Sequence, residues 1–157
     1  MKNNIVILSV ICLTLIVFSS SAVTAPTDII PSPNWTVFSS YHGVKVEYKQ
    51  SPCEGKGLAN HMNYWFKFEN TTQQKVSFSW SMKYERDGVC SNCNKLDNKE
   101  YRHEITLLPG EVIEADLAKM DDDTYYIFSH FIKLSPGMSN TMLTDFDFVN
   151  VQVKPIQ

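Results

Sequence analysis

The feature that most constrains the fold is a run of strict alternation across residues 75–85. Val76, Phe78, Trp80, Met82 and Tyr84 alternate with Ser77, Ser79, Ser81 and Lys83. Successive side chains of a strand point to opposite faces, so this spacing builds one apolar face and one polar face. On a helix the same residues would scatter around the circumference. The spacing therefore predicts a half-buried strand. Residues 61–69 alternate in the same way, with Met62, Tyr64, Phe66 and Phe68 as the apolar face. Trp65 is the exception, a large aromatic among Asn63, Lys67 and Glu69 on the polar side. Between the two runs, Asn70-Thr71-Thr72-Gln73-Gln74 reads as a polar turn. The simplest expectation is an antiparallel hairpin with both apolar faces on one side of a sheet. Such a ribbon is marginal alone, and the rest of the chain must cover it.

The remaining runs extend the same pattern. Residues 35–40, 44–49, 101–107, 111–117, 124–134 and 145–153 read as strands, with Asp87-Gly88 and Pro109-Gly110 as turns. Residues 124–134 are apolar on both faces, which predicts a central strand. In the last run Phe146 and Phe148 share one face, and then Val149, Val151 and Val153 occupy the other. A β-bulge near Phe148 would reconcile them. About eight strands with turn signals every ~8–12 residues predict an antiparallel β-sandwich. No run has the period of a helix of useful length.

The 157 residues point to one domain. Its boundaries follow from the first stretch. Met1-Lys2-Asn3-Asn4, the apolar run 5–18 and the small-residue exit Ser19-Ser20-Ser21-Ala22 read as a secretory signal peptide, residues 1–22. Cleavage is expected between Ala22 and Val23. The apolar run is shorter than the roughly 20 residues a bilayer span needs, so no permanent membrane span is expected. Residues 23–34, with Pro26, Pro31 and Pro33, read as a linker, and residues 35–157 as the sandwich domain. The expected location is secreted or extracytoplasmic, meaning periplasm or cell surface in a bacterium. A formal net charge of −3 argues against a nucleic-acid partner, which would call for a basic patch.

Two blocks carry a resemblance. Phe68-Glu69-Asn70-Thr71-Thr72 leading into Val76-Ser77-Phe78-Ser79-Trp80 resembles the strand–turn–strand of secreted immunoglobulin-like modules. Ile105-Thr106-Leu107-Leu108-Pro109-Gly110-Glu111 looks like the leucine-proline-glycine-glutamate turn of bacterial immunoglobulin-like domains. The whole is similar to small, uncharacterised secreted bacterial proteins of this kind. That resemblance implies an immunoglobulin-like sandwich outside the cytoplasm, and it brings no catalytic residue with it. The two core cysteines around a tryptophan that mark antibody domains are missing.

Because successive strands of a sandwich reverse direction, alternate loops share an end. Cys53, the Cys90-Ser91-Asn92-Cys93 loop, His61, His103 and residues 121–123 are thereby expected at one end. Three readings compete there. One is a disulfide, from Cys53 to Cys90 or Cys93 or within the Cys90–Cys93 loop, which an oxidising compartment favours. Another is a tetrahedral zinc set of Cys53, Cys90, Cys93 and either His61 or His103. The third is a redox-active Cys-x-x-Cys, which lacks the strand-to-helix context of thioredoxin-like sites. Asp116 with Asp121, Asp122 and Asp123 is either a calcium site or a solvated acidic turn. Trp65 is either a sugar-stacking platform or a packed residue. Asn34 and Asn70 are formal glycosylation acceptors. His42, His61, His103 and His130 are scattered, and no nucleophile elbow or paired carboxylates can be placed. The expectation is a secreted, non-enzymatic binding module without a cofactor, its ligand a protein or a glycan and its binding surface the cysteine-bearing loops. The alternative is a small extracytoplasmic zinc-type metal-binding protein.

Overall fold

A computed structural model of the chain describes residues 34–53, 60–115 and 122–156. The expected signal peptide, the expected cleavage point at Ala22 and Val23, most of the expected linker, Asp116, Leu117 and Asp121 lie outside the described residues. Among the described residues there are nine strands: β1 (Thr36–Tyr41), β2 (Val44–Cys53), β3 (His61–Asn70), β4 (Val76–Arg86), β5 (Val89–Cys90), β6 (Arg102–Leu107), β7 (Val112–Glu114), β8 (Tyr126–Phe131) and β9 (Leu143–Pro155). A single 3-10 turn, Lys99–Tyr101, precedes β6. Among these residues no helix is long and apolar enough to cross a membrane.

The strands form two antiparallel sheets arranged as a sandwich. In the first, β1, β2 and β3 lie side by side, and the far edge of β3 is shared by β8 and β7. β8 pairs with the first half of β3, and β7 with residues 67–69. In the second sheet β4 is central, with β9 along one edge and β6 and β5 in succession along the other.

This topology corrects the expected hairpin. β3 and β4 are consecutive and both alternate as predicted, but they belong to different sheets. The apolar faces are right: Tyr64, Phe66 and Phe68 meet Val76, Phe78, Trp80 and Met82 in one buried cluster. They meet across the core rather than side by side, because alternation fixes which face is apolar and says nothing about which strand pairs with which. The turn carries the chain from one sheet to the other. Asn70, fully buried, pins it by donating to the carbonyls of Gln74, at 2.8 Å, and Leu108, at 2.9 Å, while its Oδ1 accepts from the Thr72 backbone N–H, at 3.0 Å. Gly110 N–H donates to the Asn70 carbonyl at 3.0 Å, so the two blocks that carry the sequence resemblance are knitted to each other.

Other boundaries move for local reasons. β1 and β2 form a tight hairpin whose central residues His42 (φ 45°) and Gly43 (φ 90°) both sit in the left-handed region, as such turns require. Residues 51–53, expected in a loop, continue β2 and pair with β3, so that Cys53 lies opposite His61. β8 is not a central strand: it pairs only with β3. Its second apolar face is explained by contacts outside the main core, Tyr126 against Trp65 and Phe128 against His61 and Phe131. The bulge expected near Phe148 falls at Asn150, where the register jumps from Ser81–Val149 to Ser79–Gln152 and φ is 54°. It turns Val151 and Val153 back onto the core that Phe146 and Phe148 fill.

Candidate functional site

The cysteine-bearing end is built where β2, β4 and β8 finish. Cys53 and His61 close the first sheet there, beside Phe131. Arg86, the last residue of β4, ties that sheet to the second one: its guanidinium donates to the carbonyls of Phe128 at 2.8 Å and Ser129 at 3.0 Å, and lies over the Phe128 ring. Residues 132–142 then cross between the sheets. Ile132 N–H donates to the Asn60 carbonyl, and Met142 and Asp87 exchange two hydrogen bonds of 2.9 and 3.0 Å.

The sequence readings of this end resolve unequally. Cys90 and Cys93 form a disulfide, with Cα atoms 5.8 Å apart. Of the three pairings left open, it is the local one. Asn92 between them is fully buried. Its side chain donates to the Met82 carbonyl at 2.7 Å and accepts from the Tyr84 N–H at 3.1 Å. Cys53 is fully buried in a separate small cluster with Trp65 and Ala115, and burial pushes its thiol pKa up. His103 lies farther along, opposite Trp80 in the second sheet. Its ring stacks near the Trp80 indole, and Nδ1 is 3.3 Å from Thr124 Oγ1 and 3.8 Å from Asp123 Oδ1. Burial lowers its pKa, against the pull of Asp123 and Asp122. The proposed zinc set is therefore not assembled: two of its thiols are spent on each other, and its members sit on two sheets. Among the described residues no three His, Cys, Asp or Glu side chains gather at one point.

Two other sequence candidates lose their functional reading. Trp65 is 3% exposed, so it is not a sugar platform. It is covered on the outer face of the first sheet by Tyr126 and the small Cys53 cluster. Asn70 is buried and bonded through both its side-chain atoms, which removes it as a glycosylation acceptor in the folded chain.

Away from the Trp65 cluster, the outer faces of both sheets carry polar side chains. On the first, the cross-strand pairs Lys45–Glu69 and Glu47–Lys67 form a ladder, with Lys67 Nζ 2.6 Å from Glu47 and Lys45 Nζ 3.2 Å from it. Trp35 lies over this face, with Lys49 and Lys67 ammonium groups 4.3 and 4.9 Å from its ring and its own N–H on Glu114. On the second, Ser79, Ser81, Asp97, Arg102, Asn150 and Gln152 border a shallow recess of about 390 Å³.

What sequence reasoning missed is the apolar character of the cysteine-bearing end. Val89, Ile132, Leu134, Met138 and Met142 are between 41% and 68% exposed. All five sit on segments at that end: Val89 opens the short strand β5, and the other four lie on the crossing 132–142. Ile132 and Leu134 fall inside the strand expected over 124–134, and Met138 and Met142 lie beyond the Pro136-Gly137 pair, so the sequence pattern does not set them apart. No protein-family model, curated protein or solved structure matches the chain.

Proposed function

We propose that the protein is a secreted, non-enzymatic interaction module of immunoglobulin-like type that engages a protein partner through its cysteine-bearing end. The observation that carries this reading is the set of exposed apolar side chains there, Val89 on the two-residue strand β5 and Ile132, Leu134, Met138 and Met142 on the crossing loop. Exposed apolar surface on loops held by a rigid sandwich is the usual signature of an interaction site. Two of the five are methionines, whose flexible thioethers adapt to a partner's shape. An apolar surface of this kind suits a protein better than a glycan, which would call for exposed aromatic platforms and polar groups. Arg86 and the Met142–Asp87 pair hold the loops in place. The signal-peptide pattern and the disulfide both fit export to an oxidising compartment.

The test uses a photo-crosslinking residue at Met138 or at Leu108, an exposed position at the far end, in the protein expressed in its native source. Selective adducts from position 138, abolished by Val89→Asp with Ile132→Asp, are expected. Equal adducts from both positions, or none from 138, would overturn the reading.

A further inference from the structure

Along one edge of β4 the ladder is interrupted. β6 pairs with residues 76–81 and β5 only with residues 85–86. Between them the backbone groups of Met82 and Tyr84 face the gap. The Cys90–Cys93 loop fills it with a side chain in place of a strand: Asn92 Nδ2 donates to Met82 O, Asn92 Oδ1 accepts from Tyr84 N–H, and Ser91 N–H donates to Tyr84 O at 3.0 Å. A primary amide presents the same donor and acceptor as a peptide, so it can stand in for one. The disulfide ring sets the shape in which this loop presents Asn92 and Ser91 to the edge, and Cys93 is exposed while Cys90 is half-buried.

We propose that Cys90–Cys93 is a thiol-exchange site, a redox latch for the edge of β4, and that its substrates are low-molecular-weight thiols and dithiols. The thiolate of a dithiol attacks the exposed Cys93 sulfur. The S–S bond breaks, and its electron pair leaves on Cys90, which takes up a proton. The second thiol of the reductant attacks the mixed disulfide, closes the oxidised cyclic product and releases Cys93 as a thiol. The protein gains two electrons and two protons, and the dithiol loses them. Because the ring spans only the loop from Cys90 to Cys93, its opening leaves both sheets and the core intact. It frees Asn92 to leave the gap, and Met82 O and Tyr84 N–H are then open to water or to an added strand. Oxidation by a small disulfide reverses the step. This inference stands apart from the partner-binding reading and does not depend on it.

The experiment is a titration of the folded full chain with dithiothreitol of graded oxidised-to-reduced ratio. It is read by alkylation and peptide mass for Cys90 and Cys93, and by amide hydrogen exchange at Tyr84 and Phe78. Reduction is expected while Phe78 stays protected, with exchange at Tyr84 rising on the order of tenfold and falling again on reoxidation. Asn92→Ala is expected to raise Tyr84 exchange with the disulfide still closed. Reduction only under conditions that also expose Phe78 would overturn the exchange site. Reduction with Tyr84 still protected would overturn the latch.

Discussion

Asn63 is the residue whose chemistry fits its surroundings least. It is fully buried on β3 between Ser51 and Phe128, and neither of its side-chain polar atoms has a hydrogen-bond partner among the described residues. A buried amide left unpaired carries an unfavourable desolvation term of ~1–3 kcal/mol that an apolar side chain of similar shape does not. Asn63→Leu is therefore expected to raise stability by about 1–2 kcal/mol, read as a higher urea midpoint; an unchanged or lower midpoint would mean that the amide is paired. His103 is the opposite case, a titratable ring with an aromatic neighbour on one side and carboxylates on the other. Burial against Trp80 lowers its pKa, and Asp123 and Asp122 oppose that shift without cancelling it. The unfolded chain therefore takes up the proton first as pH falls. His103 supports the fold fully above the ordinary histidine value near 6.5, and that support is lost as pH falls below it toward the folded value. Asp123→Asn removes the opposing charge, so the ring should titrate at still lower pH. Nuclear magnetic resonance of the imidazole protons checks this, and a rise in pKa in the variant would contradict it.

The outer face of the first sheet shows how one element acquires a pH response from its neighbours. Lys45, Glu47 and Lys49 alternate along β2, and Lys67 and Glu69 along β3. These charges are visible in the sequence, but their pairing is not, since it depends on the register that sets Glu47 opposite Lys67. Burial by itself would raise the Glu47 carboxyl, yet the Lys67 and Lys45 ammonium groups outweigh it and hold it below the ordinary carboxylate range. A depressed carboxylate stabilises the fold above its unfolded value, about 4.3 for glutamate, and that stabilisation is lost as pH falls through the folded value. Glu47→Gln should thus lower stability by about 1–2 kcal/mol at pH 7 and by little once both forms are neutral in acid. Parallel denaturation curves at the two pH values decide it: an equal loss at both would assign Glu47 a packing role alone. The Cys90–Cys93 ring contrasts with this ladder. In the chain-entropy model so short a loop adds only about 2 kcal/mol, which fits a bond that orders one edge more than it supports the fold.

At the scale of the whole molecule, what was legible was local and what was not was pairing. The faces of β3 and β4 were readable because each strand carries its own period. The bulge was readable within two residues of Asn150 because the phase slip at Phe148–Val149 lies within one strand. The sheet to which each strand belongs was not readable, since it depends on pairings between residues far apart in sequence, as where Asn70 reaches Leu107 and Leu108. The gathering of Cys53 and the Cys90–Cys93 loop at one end followed from strand reversal, but burial and the Asn92 contacts needed the fold. The two sheets are joined chiefly by aromatic rings, and Phe148 of β9 stands among them. Its ring lies 5.0 Å from Trp80 within its own sheet and 5.2 and 5.3 Å from Phe66 and Phe38 of the facing one. Cutting it to alanine removes contacts to both sheets at once and leaves a cavity between them, which should lower stability by about 3–5 kcal/mol. Because both sheets share this core, the loss should appear as one transition with the same midpoint by indole fluorescence and by far-ultraviolet circular dichroism. Trp65 lies in the separate small cluster on the outer face, so it gives a second vantage. If Phe148→Ala exposed the amides of β4 and β9 while Trp65 and the β2–β3 pairing kept their wild-type midpoint, the sheets would be two stability units, and the core between them would not be what makes the fold cooperative.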